Sequence, residues 1–249
     1  MSKTAHKKLL RSAWKERNKI YADLLGETFL PIPRNYSPPD VPDPEFKPDS
    51  GFRMITQSIA DQVIPILAHP PVPGRDHWVY VTSGLSNPWF QEKPDEVSGF
   101  GCELMIKSSK PSLWPIRQLR RLCSYLLSYS GTLSPGLILE MKSPHSVTLP
   151  SLLTNMVVWY ADEAPDTLYQ LPSGVFGVFC AIGITEDEAK FAENSGEYGT
   201  WCIQQVLRNT EIGQLSNESR GSVMATEGIN AILSGVRMYA ENFREMAGQ

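Results

Sequence analysis

The chain has 249 residues, 41% of them hydrophobic, and a formal net charge of −4. That is enough apolar material for one large domain or two small ones, and the charge balance carries no overall nucleic-acid signal. No apolar run approaches bilayer length, the N-terminus lacks the apolar core of a signal peptide, and the four cysteines form no CxxC pair, so buried thiols in a reducing cytoplasm are the expectation.

The net charge hides an asymmetry. Residues 1–25 hold seven Lys or Arg and two Asp or Glu, about +5, so the rest sums to about −9. Leu9, Leu10, Ala13, Ile20, Leu24 and Leu25 recur near helical spacing between the basic residues. The spacing predicts an amphipathic helix over 5–25, stopped at Gly26. Seven prolines follow between Pro31 and Pro48. Proline fixes φ and removes donors, so this stretch reads as an extended arm. Residues 1–50 are expected to form a basic helix and proline-rich arm, with the arm from Pro31 to Pro48 dispensable for folding of the body, so that deleting residues 1–50 leaves a cooperative melt. Residues 52–67 fit a helix through Phe52, Ile55, Ile59, Val63 and Ile66, with a strand as the alternative.

His77 to Ser83 alternates bulky and small side chains in strand composition. Gly84, Asn87 and Pro88 then mark a turn. A polar segment with Glu92, Lys93, Asp95 and Glu96 leads to a second strand-like run from Gly99 through Ile106. Two strands joined by a polar loop give a rigid base with a mobile tip, a common way to present a binding surface. Pro115 opens a helix whose apolar face is Ile116, Leu119, Leu122, Cys123, Leu126 and Leu127. Strand-like runs follow at 136–141, 152–160 and 175–184. Thr185 to Glu188 reads as a capping box, which explains that acidic cluster structurally. Helices are predicted over 200–207 and 228–246. The last places Ile229, Ile232, Leu233, Val236, Tyr239, Ala240, Phe243 and Met246 on one stripe.

Motifs for chemistry are scarce. No phosphate loop and no HExxH occur, and four histidines without paired spacing give no metal site. Gly84-Leu85-Ser86-Asn87-Pro88 resembles a nucleophile elbow until Pro88 replaces its last glycine. His77 and His145 are the available bases, and each has a simpler structural reading. Trp89 and Phe90 follow in the loop. They are either anchors for a partner or a cover for the sheet.

The fragments His77–Ser86 and Ser98–Leu104, then Trp114-Pro115, Phe176–Gly183, Ile184–Glu188 and Ser219–Ser222, resemble the suppressor-of-fused family in order and approximate spacing. The resemblance runs over roughly residues 75–223. It implies a protein-binding module: animal members sequester Gli-type transcription factors, whose peptide adds as an extended strand. This chain is similar to stand-alone bacterial forms, for which a role as immunity protein against a cognate toxin is inferred. Tyr80 and Asp95 match positions near the peptide-binding surface of the animal proteins.

Taken together, the expectation is an α+β fold in a single main domain, with helices packed on a mixed, largely antiparallel sheet. Residues 51–225 would be the family-like domain and 226–249 a C-terminal amphipathic helix. The partner surface would comprise Tyr80, Trp89, Phe90 and Asp95. The partner would be a protein, for instance a basic toxin domain. No cofactor, metal, nucleic acid or membrane is expected. Alternatives are a hydrolase using Ser86 and a structural subunit that assembles through its terminal helices.

Overall fold

The structure is a computed structural model and describes residues 3–26, 30–31, 64–89, 91–129, 133–141 and 151–247. The elements are α1 (Lys3–Leu25), β1 (Leu30–Pro31), β2 (Ile66–His69), β3 (Trp78–Thr82), β4 (Val97–Ser108), α2 (Trp114–Tyr129), β5 (Ile138–Glu140), β6 (Leu153–Tyr160), β7 (Tyr169–Leu171), β8 (Gly174–Thr185), α3 (Glu186–Asn194), α4 (Gly199–Asn209) and α5 (Ile229–Ala247). The eight strands among the described residues run β1-β2-β3-β4-β8-β6-β5, with β7 pairing β8. The pairs β1–β2, β2–β3, β5–β6 and β7–β8 are antiparallel. The α+β class with a mixed, largely antiparallel sheet is as the sequence indicates.

The chain divides into two compact units, and β4 and β8 each supply residues to both. The first comprises residues 1–106, 110–133 and 160–179. In it β3 reads Trp-Val-Tyr-Val-Thr, and its last four side chains are buried. A strand covered on both faces needs no polar alternation, which is why Tyr80 and Thr82 lie inside beside Val79 and Val81. Helix α2 begins where expected, with Pro115 in its first turn, where the missing N–H costs nothing. Its residues Ile116, Leu119, Leu122, Cys123 and Leu126 are all buried. The predicted helix over 52–67 lies outside the described residues up to position 63, and from Ile66 the chain is strand β2. Of the proline arm, 31–48, only Pro31 is described, as the end of β1 opposite Leu67, and the rest lies outside the described residues.

The second unit comprises residues 107–109, 134–159 and 180–249. It holds β5, most of β6, the C-terminal half of β8 and helices α3 to α5. Cys202, Ile203, Val206 and Leu207 of α4 are buried, as are Ile229, Val236 and Ala240 of α5. Arg237 lies over the Phe191 ring at 5.2 Å, a cation–π contact of α5 with α3. The stripe predicted for α5 is only partly used. Tyr239 and Met246 remain 60% and 65% exposed. All four cysteines are buried thiols.

His69 gives the first unit an acid sensitivity. It is buried on β2, opposite Val79 in register. Burial, with the Arg75 cation adding to it, pushes its pKa down to about 4. The folded state therefore holds the neutral ring, whereas the unfolded chain binds a proton near pH 6.5. The stabilisation is complete above about pH 6.5 and is lost as pH falls toward 4, about 3 kcal/mol across that window. We expect urea melts of the native protein to weaken over that range. We expect His69→Gln to be less stable at pH 7 and flatter in pH. An unchanged slope in the variant would place the sensitivity elsewhere.

Candidate partner-binding surface

The β3–β4 connection is built around one carboxylate. Glu103 sits in the middle of the apolar run of β4 and is fully buried. Its Oε1 accepts from Gly84 N at 2.9 Å, Ser86 N at 3.0 Å and Ser86 Oγ at 2.7 Å. Its Oε2 accepts from Thr82 Oγ1 at 2.5 Å. A buried charge needs an opposite charge, and α1 supplies it. Arg17, also fully buried, places Nη1 3.4 Å from Glu103 Oε1. The same guanidinium donates to Ser86 Oγ at 3.0 Å, Asn87 Oδ1 at 2.7 Å, Ser83 O at 3.0 Å and Ser83 Oγ at 3.3 Å. One turn further on, Tyr21 donates its hydroxyl to Thr82 O at 2.7 Å. The docked stripe of α1 is thus Ala13, Arg17, Tyr21 and Leu25, each at most 2% exposed and four residues from the next.

This arrangement argues against deleting α1 along with the arm. Removing α1 would strand Glu103 among donors without its cation. It also accounts for the elbow-like run. Ser86 Oγ is fully buried, donates to Glu103 and accepts from Arg17. His77 spends Nε2 on Glu163 Oε1 at 2.9 Å, and its Nδ1 lies 3.3 Å from Asp76 Oδ1. His145 lies outside the described residues.

From this base the chain reaches the surface. Trp89 is half-buried and folds back, with Nε1 donating to Gly84 O at 2.7 Å. Residues 92–97 and Gly99 are exposed. The loop is tied down. The Gln91 side chain donates to Val97 O at 2.9 Å and Ser173 O at 3.0 Å, and accepts from Gly99 N at 2.9 Å. Asp95 N donates to Ser173 O at 3.1 Å, and Val175 N donates to Glu96 O at 3.0 Å. Asp95 Oδ1 caps Glu96 N at 2.8 Å. Ser98 Oγ donates to Ser86 O at 2.6 Å. Gly99 has φ +58°, and a Cβ there would stand 2.3 Å from Asn87 O and 2.4 Å from Leu85 O. Only glycine lets the turn lie this close across β4.

The four residues singled out from sequence are therefore not equivalent. Asp95 is on the exposed rim, and Trp89 is at its base. Tyr80 is buried within the first unit. Its ring stacks on Trp78 at 6.4 Å between centroids, and its hydroxyl accepts from Ser112 N at 2.8 Å. Burial raises its pKa. Phe90 lies outside the described residues. Arg17, Glu103 and Gln91 went unnoticed in the sequence. A glutamate inside the apolar run Gly-Phe-Gly-Cys-Glu-Leu-Met-Ile was a signal, since such a charge demands a partner.

The second unit repeats the device. Glu188 reaches back to Thr185 N at 2.9 Å, as the capping box requires. It also receives Arg220 in a fork, at 2.6 Å and 2.7 Å, and Val223 N at 2.8 Å. Asp187 Oδ2 accepts from Ser222 Oγ at 2.6 Å. The fragments Thr185–Glu188 and Ser219–Ser222 are thus two halves of one junction around the buried Glu188.

The profile of the family described as suppressor of fused protein (SUFU) matches residues 60–209, more than half of the chain. The chain belongs to the suppressor-of-fused family. The matched region begins earlier than the sequence fragments do, and it ends before Ser219–Ser222. Among curated proteins no match is found. Among solved structures, a chain of the Sufu-Fu complex superposes with a TM-score of 0.64 at 18% identity, covering 92% of this chain and 96% of that one. Drosophila Suppressor of Fused superposes with a TM-score of 0.58 at 20% identity, covering 72% of this chain and 46% of that one. A suppressor-of-fused homologue from Neisseria gonorrhoeae FA 1090 superposes with a TM-score of 0.55 at 14% identity, covering 87% and 97%. At these identities the likeness is one of fold. This chain matches a region amounting to under half of the Drosophila protein.

We expect Arg17→Ala to cost about 3–5 kcal/mol in urea melts, because it leaves a buried carboxylate unpaired. Lys19→Ala, an exposed position on the same helix, should stay within about 0.5 kcal/mol. Equal effects from the two would show that the pair does not hold α1.

Proposed function

We propose that this chain is a non-catalytic protein-binding module that sequesters one protein partner, and that it serves in a bacterial cytoplasm as an immunity protein neutralising a cognate toxin. The observation that carries this reading is the contrast within residues 84–99. The Ser86 hydroxyl is sealed in an ion-pair network, while residues 92–97 stand exposed on a base cross-tied by Gln91 and Glu103. A nucleophile needs access to substrate and a base to take its proton. A recognition loop needs exposure and a held shape, which lowers the entropy cost of binding. Glu92, Asp95 and Glu96 against Lys93 give the rim an acidic balance, which favours a basic partner and speeds its approach. Membership of the suppressor-of-fused family, and the description of one relative as a Sufu-Fu complex, support protein binding as the activity.

The test is direct. The purified chain is mixed with the product of a neighbouring toxin-like reading frame, and complex formation and residual toxicity are measured. We expect a stoichiometric complex and loss of toxicity. Trp89→Ala should weaken binding by about 2 kcal/mol if it anchors the partner. Asp95→Ala should weaken it with little change in melting temperature. Ser86→Ala should lower stability and leave affinity per folded molecule intact. Esterase or peptidase turnover abolished by Ser86→Ala would overturn the non-catalytic reading.

A further inference from the structure

Helix α1 has a second face. At 100° per residue Lys7, Lys8, Arg11, Trp14, Lys15 and Lys19 fall within about 140° of arc, and all six are exposed. Ala13 and Arg17 of the docked stripe lie on the other side, Tyr21 and Leu25 carry that stripe round toward the arc only at the C-terminal end of the helix, and Glu16 and Asp23 fall outside the arc. Lys19 meets Glu16 at 4.0 Å with both side chains exposed, a pair of little energetic weight. Trp14 is 53% exposed, three residues from Arg11 and seven from Lys7. Five cations and one indole thus share a face without a carboxylate, on a chain whose remaining residues sum to about −9.

We propose that this face of α1 is a docking surface for an anionic membrane. The charge complementarity is with a plane of acidic headgroups. Clusters of four or more Lys or Arg on a helix are drawn to such a plane, and tryptophan settles at headgroup level. The face is convex and its cations are spread along it. It therefore suits a diffuse anionic surface better than a single carboxylate or phosphate. A lone indole on the flank of such a helix meets headgroups on a bilayer, but has no unstacked base to meet on a duplex backbone. The helix is already formed and locked by Arg17, so no ordering cost attends binding. No helix among the described residues is long and apolar enough to cross a membrane. That bears on spanning a bilayer, not on lying against one. The inference does not rest on the partner proposed for the β3–β4 loop, although His6 at the start of α1 lies 3.2 Å from Gln91 O of that loop.

The intact chain is sedimented with phosphatidylcholine vesicles, with and without about 30% phosphatidylglycerol, at about 0.05 M and 0.3 M salt. Binding should require the anionic lipid and fall steeply with salt. Lys7→Glu, Arg11→Glu and Lys15→Glu should each lower partitioning at least about fivefold. Trp14→Ala should weaken it further, and Lys93→Glu, on the β3–β4 loop, should leave it unchanged. Melting temperatures should match the native chain throughout. Should a reversal disturb folding, Arg11→Gln and Lys15→Gln carry the same test. Equal binding to neutral vesicles, or no binding to either, overturns the proposal. So does tighter retention of duplex DNA or RNA through the same residues at the same salt.

Discussion

A carboxylate taken out of water costs several kcal/mol unless its surroundings replace the lost hydration. Glu103 is in that position, in the middle of an apolar strand. Its demands shape much of the first unit. The turn after β3 curls so that two backbone N–H groups and a hydroxyl face one oxygen. The neutralising cation comes from α1, far away in sequence, so the same requirement fixes the helix on the fold. Asn87 and the Ser83 carbonyl complete the guanidinium's shell. Gly99 answers to the same geometry, because the turn can lie across β4 only where there is no Cβ. Fixing the turn and the helix fixes the base from which residues 92–97 project.

The second unit solves a related problem at the start of α3. There a carboxylate satisfies the helix N-terminus and also clamps a distant loop through Arg220. Breaking either junction would leave a charged or strongly polar group buried without its partner, which is more costly than losing a contact between exposed side chains. Residues that pattern-match as chemical motifs, the elbow-like turn and the acidic triplet, are thereby spent on architecture. The surface left for recognition is made of ordinary exposed polar residues whose backbone is held from behind.

Much of the fold was legible because burial imposes periodicity. Strands β3, β6 and β8 and helices α2, α4 and α5 follow from composition and spacing, and the capping box located the start of α3. Strand β7 was missed. It is three residues long, and its identity comes from pairing with β8 rather than from its own pattern. The site was less legible. In helical periodicity Arg17 reads as one more solvated cation among lysines, because the pattern registers polarity and not depth. Only its partner across the fold makes it a core residue. Tyr80 was singled out by the family resemblance alone, and here its ring is buried with Ser112 N satisfying its hydroxyl inside. Trp89 shows both properties that the sequence left open, a half-buried ring and a place at the foot of the exposed rim.

The distance in sequence between Arg17 and Glu103 also sets a schedule. The two are 86 residues apart (103 minus 17), so the helix is made long before the strand that neutralises it. At roughly 5–20 residues per second that is an interval on the order of 4–17 s. Through it the nascent segment carries Lys7, Lys8, Arg11, Lys15, Arg17 and Lys19 with no acidic socket for the arginine. The turn around residues 84–87 likewise has no complete hydrogen-bond shell until β4 has been synthesised. Helix and turn therefore cannot complete their shared ion pair until β4 is made, although α1 leaves the ribosome well before that strand.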